Sequence, residues 1–170
     1  MIYHIVIFAA FIAASYYRKS FVKDDKKRIA MAGGASLGFI FVIDLVLPAL
    51  LNVLVSFAPA GIDDYIVYPL GDIFIFICLL ASMVLMLRIL KIKGDLPKWF
   101  ICLAVLSVII IAFLDIQGVM RINRAISALR DGSFFDMFSR IGGLYMCTAL
   151  KNVMLIACGG CILESKGNDA

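Results

Sequence analysis

The feature that most constrains this chain is the pair of long apolar runs between Ile29 and Leu90, each interrupted by one buried-looking carboxylate, Asp44 in the first and Asp72 in the second. An uncharged run of about 20 residues is the length of helix that crosses a bilayer, and a carboxylate inside one costs roughly 2.5 to 3.5 kcal/mol on insertion scales. Such a residue therefore has a partner or a task. The rest of the chain repeats the pattern, because 64% of its 170 residues are hydrophobic and 16% are charged. Soluble domains sit near 45 to 50% and 25%, so the chain is read as an integral membrane protein. Its length leaves room for one domain of about five spans, without a separate soluble catalytic unit.

Five apolar segments are predicted to be membrane helices, at 1–17, 29–58, 68–90, 99–118 and 142–163. Basic residues cluster in the connections 18–28 (Arg18, Lys19, Lys23, Lys26, Lys27, Arg28) and 88–98 (Arg88, Lys91, Lys93, Lys98). Under the positive-inside rule both face the cytoplasm, which puts the N-terminus outside and the polar tail 164–170 inside. Eleven Lys and Arg then lie inside, against four in the outer connection 119–140. The expected fold class is thus all-α, a polytopic transmembrane helical bundle of about five helices, N-out and C-in. No positive residue precedes the first segment, so it is read as a retained helix rather than a signal peptide. The net charge of +4 is explained by the two loops and points to no nucleic acid.

The outer connection carries Ile122, Ile126 and Leu129 at helical spacing, opposed by Arg121, Arg124 and Arg130 and followed by Phe134, Phe135, Met137 and Phe138. That pattern predicts an amphipathic helix at the outer interface. Arg121, Arg124, Arg130, Phe134, Phe135 and Phe138 are its candidate partner-binding residues.

Polar residues inside the spans form the other candidate site: Asp44, Asn52, Asp72, Asp115, Lys151 and Asn152. Helical periodicity puts Gly34 and Gly38, a small-xxx-small pair, on one face with Asp44, Pro48 and Asn52, a face expected to pack on other helices. Pro48 should kink that helix and free the carbonyl of Asp44. Lys151 is expected to pair with Asp72 or Asp115. The single histidine, His4, is read as a solvated residue at the outer end of the first helix, with no second histidine to complete a metal or haem site. Cys158-Gly159-Gly160-Cys161 is read as small packing residues, since a lone CxxC supplies half a zinc site and a helix C-terminus disfavours a thiolate. No metal, cofactor or disulfide is expected.

Two aspartates on neighbouring membrane helices can share a proton and activate water. The segments Val42-Ile43-Asp44-Leu45-Val46 and Leu70-Gly71-Asp72-Ile73-Phe74 locally resemble the two aspartate helices of GxGD-type intramembrane aspartyl proteases. The resemblance covers about 45 residues and implies a catalytic pair Asp44 and Asp72. Ile43 stands where that family places a tyrosine, Pro69 where it places the first motif glycine, and Pro48-Ala49-Leu50 lies in the first aspartate helix rather than the last. At 1.5 Å per residue a straight second helix would also put Asp44 roughly 15 Å deeper than Asp72.

With no phosphate loop, serine elbow or metal cluster in view, the favoured expectation is a small non-enzymatic protein of a bacterial inner membrane. It would act by binding other membrane proteins, as a complex subunit or an immunity or exclusion-type factor, or by self-association. An ion or proton pathway subunit and a protease-like enzyme are the alternatives.

Overall fold

The computed structural model describes residues 2–18, 25–57, 64–92, 95–128 and 135–165, with the backbone alone at 18, 25, 52, 54–57, 64–65, 118–128, 135–144 and 165. Every element in these segments is helical: α1 (Ile2–Arg18), α2 (Asp25–Phe41), a wide π turn (Val42–Val46), α3 (Leu47–Phe57), α4 (Asp64–Ile89), α5 (Lys98–Ala128) and α6 (Phe135–Ser165). Among the described residues four stretches are long and apolar enough to cross a membrane: Lys26–Leu51, Ile66–Ile89, Lys98–Gln117 and Tyr145–Glu164. The fifth apolar helix, Ile2–Tyr17, is shorter. This is a multi-pass membrane bundle of about five helices.

Helices α1, α2, α4 and α6 close a ring in which each packs on the next, and α5 lies against α4 and α6. The ring is filled by one stripe from each helix: Phe8 from α1, Ile40 from α2, Phe76, Leu79, Met83, Met86 and Leu87 from α4, and Leu155, Cys158 and Ile162 from α6. Spacings of three and four residues keep these side chains on one face of each helix. The opposite faces carry exposed apolar residues such as Val6, Leu37, Phe74, Ile109 and Val153, as lipid-facing surfaces do.

Local chemistry sets the breaks. Pro48 has no N–H to give to the carbonyl of Asp44, and the helix answers by widening just before it, so that the Leu47 N–H reaches Val42 O five residues back. Helix α4 ends in a Schellman motif: the Lys91 N–H donates to Arg88 O at 2.9 Å and the Ile92 N–H to Leu87 O at 3.0 Å. Lys91 occupies the left-handed position, at φ 57°, where glycine is usual. Buried Ile92 and Leu87 supply the apolar contact that accompanies such a stop.

One expectation changes here. Among the described residues the connection 119–140 continues the two flanking helices rather than forming a separate one: α5 runs on to Ala128 and α6 begins at Phe135. At 31 residues each, they are about 46 Å long against a hydrocarbon core of about 30 Å.

Candidate functional site

Each core stripe ends, at the same end of the bundle, in a polar residue. One turn above Phe8 on α1 is His4; one turn above Phe76 on α4 is Asp72; one turn beyond Ile111 on α5 is Asp115; and above Leu155 and Met154 on α6 come Lys151 and Cys147. The short connections between consecutive packed helices make them antiparallel, so these positions share the end opposite the two basic loops. The helical stripe that buries apolar residues below carries these polar ones inward above.

Two clusters result. In the first, the His4 ring nitrogen Nδ1 lies 2.9 and 2.8 Å from the two carboxylate oxygens of Asp44, joining α1 to the π turn. Both side chains are about nine-tenths buried. His4 is thus an internal partner rather than a solvated interfacial residue, because α1 turns it inward on the stripe of Phe8. The π turn contributes the other half. It inserts up to one residue, rotating the later residues by about 100° relative to a straight helix. Asp44 turns toward α1, while Gly34 and Gly38 stay on the outside of α2, with nothing within 4 Å of where a Cβ would stand. The common face expected for the glycines and Asp44 is divided by that turn.

In the second cluster, Lys151 Nζ lies 2.6 Å from Asp72 Oδ2. The Cys147 thiol donates to Asp115 Oδ1 at 3.5 Å, and ligand atoms of Asp72, Asp115 and Cys147 all stand within 4.8 Å of one another. The other Asp115 oxygen, Oδ2, is buried and has no hydrogen-bond partner among the described residues, and the same holds for Asn152 Oδ1. Three helices, α4, α5 and α6, therefore place two carboxylates, a thiol and an ammonium side by side.

Asp44 and Asp72, the pair suggested by the protease-like segments, are engaged by different partners, His4 and Lys151. The carboxylate facing Asp72 is Asp115. The side chain of Asn52 lies outside the described residues, as do those of Arg121, Arg124, Arg130, Phe134, Phe135 and Phe138.

The CGGC segment serves packing. Cys158 is fully buried, both cysteines are free, and a Cβ on Gly159 would stand 2.5 Å from the Phe11 ring, so α1 seats that ring on bare α6 backbone. The buried serines Ser15, Ser36, Ser82 and Ser107 donate to carbonyls three or four residues back in their own helices. None of them bridges to a second helix through these bonds.

His4 was legible in principle: stepping four residues back from Phe8 along the stripe arrives at it. The pairing of Asp115 with Cys147 had no comparable signal, because it depends on the relative depth of two helices. Comparison of the chain with known protein families, with curated proteins and with solved structures returns no match.

Proposed function

We propose that this chain is a small, non-enzymatic protein of a bacterial inner membrane that works by associating with other membrane helices, either those of a larger complex or of a second copy. The observation that carries the reading is the outward Gly34 and Gly38 face of α2, open over both glycines inside an apolar span. In lipid, helices associate through close backbone approach, and a small-xxx-small face permits it. Exposed glycines pack nothing within the bundle itself, so their smallness is of use to a neighbouring helix. The length of α5 and α6 beyond their apolar stretches agrees with a protein that presents a helical surface to a partner.

Two other readings find less support. A proton or ion route would need polar groups along the whole bundle. In the half near the basic loops the described core is mostly apolar, with Ala32, Met83, Met86, Leu87, Phe100 and Ile162, and its buried polar side chains, Ser15, Ser36 and Ser82, each donate to a carbonyl of their own helix. A membrane aspartyl protease would need Asp44 and Asp72 to act on one water, and each is held by a different partner, His4 and Lys151.

The test is site-directed crosslinking in native membranes from single cysteines on the α2 outer face, with Gly34→Leu and Gly38→Leu compared against the parent. Loss of the crosslinked species, with the fold of the purified chain unchanged, is the expected result. Association that survives both leucines would remove the basis of the reading.

A further inference from the structure

The polar cluster at the end of α4, α5 and α6 has the donor set and the charge of a metal site. Asp72 and Asp115 contribute two negative charges and Lys151 one positive, leaving one negative charge uncompensated beside a neutral thiol. A buried site of low dielectric strongly favours neutrality. A divalent cation that displaces the Cys147 proton achieves it: two carboxylates and a thiolate, minus three, meet the ammonium and the dication, plus three. The thiol proton leaves to water, as metal binding to cysteine requires, and a sulfur–metal bond replaces the S–H bond without any redox change.

Geometry selects the kind of ion. Around a tetrahedral centre with metal–sulfur about 2.3 Å and metal–oxygen about 2.0 Å, the sulfur and oxygen ligands stand about 3.5 Å apart. Cys147 Sγ and Asp115 Oδ1 are 3.5 Å apart. The third ligand atom, from Asp72, is within 4.8 Å of both, against about 3.3 Å for two oxygens in that geometry, so it must move inward by up to about 1.5 Å. The buried Asp115 Oδ2, which has no hydrogen-bond partner among the described residues, is a second oxygen already stripped of water. A thiolate among so few ligands suits a borderline transition-metal dication rather than magnesium or calcium, which take six or more oxygens. Lys151 stays on Asp72 Oδ2 as an outer hydrogen-bond donor, fixing that carboxylate as second-sphere partners do.

We propose that Asp72, Asp115 and Cys147 bind one zinc-class divalent cation, with Lys151 as the charge that balances and orients the site. Metal reaches it from the aqueous phase at that end of the bundle, since Asp72 keeps a third of its side chain exposed. This site stands apart from the α2 face on which the association reading rests.

The experiment uses the full chain in lipid nanodiscs, stripped with chelator and titrated with cobalt(II) as a spectroscopic stand-in for zinc. One equivalent should bring up the near-ultraviolet thiolate-to-cobalt band and intense tetrahedral visible bands, and zinc should bleach both. Cys147→Ser should abolish the ultraviolet band, while Cys158→Ser and Cys161→Ser leave it. Asp115→Asn should weaken binding by on the order of 100-fold. Should Cys147→Ser fail to fold, alkylation of the parent chain decides: zinc must protect Cys147 and not Cys78 or Cys102. Absence of a stoichiometric thiolate band, its survival in Cys147→Ser, or alkylation of Cys147 unaffected by zinc would each overturn the proposal.

Discussion

Replacing Lys151 by Met keeps the length and packing of the side chain and removes one charge. The cost can be worked from the geometry. The ammonium sits 2.6 Å from Asp72 Oδ2, and Asp72 and Asp115 present ligand atoms within 4.8 Å of each other. Without the cation these carboxylates face one another directly. At an effective dielectric of about 20, unit charges 4.8 Å apart repel by about 3.5 kcal/mol. Stranding one partner of a fully buried pair costs roughly 3 to 5 kcal/mol. The Lys151 side chain is 11% exposed but that of Asp72 is 33% exposed, so water screens part of the penalty. The expected loss for Lys151→Met is therefore about 2 to 3 kcal/mol. Adding Asp72→Asn to it removes the stranded charge and should return at least half of that loss, a coupling visible only in a double-mutant cycle. Reversible unfolding in bicelles, with metal chelated, measures all four corners. A single mutant within about 0.5 kcal/mol of the parent, or a strictly additive double mutant, would refute the reasoning.

Three further outcomes rest on named contacts. Gly159→Val should push the Phe11 ring off α6 and cost about 1 to 3 kcal/mol in the same unfolding assay, with Phe11→Ala relieving part of it; no effect would mean that α1 does not seat there. Lys91→Gly should raise stability by roughly 0.5 to 1 kcal/mol, since the left-handed position suits glycine; a loss would show that the lysine side chain matters more than its backbone. Asp44→Leu leaves His4 buried without its carboxylate and should lower stability by about 1 to 3 kcal/mol, whereas His4→Leu with Asp44→Leu should restore most of it. Hydrogen exchange at α1 reads that last pair, because the His4 to Asp44 contact is what ties α1 to the π turn.

Apolar run length was enough, read from the residues alone, to establish a multi-pass helical bundle. The signal is one-dimensional, because a helix in lipid must satisfy its own backbone. The polar residues of the spans were visible for the same reason, as charges where none belong. Which of them meet was a tertiary matter. His4 reads from the sequence as a residue at a chain end, and only the inward turn of α1 together with the π turn before Pro48 gives it Asp44. Gly34 and Gly38 stay on the outer face of α2 while Asp44, within the turn, faces His4, against a straight-helix projection that groups the three. Asp115 and Cys147 are 32 residues apart in the chain, and their contact is set by how deeply α5 and α6 slide past one another. Periodicity fixes the face a residue occupies on its own helix; helix register, wide turns and depth decide what that face touches, and these are properties of the packed bundle.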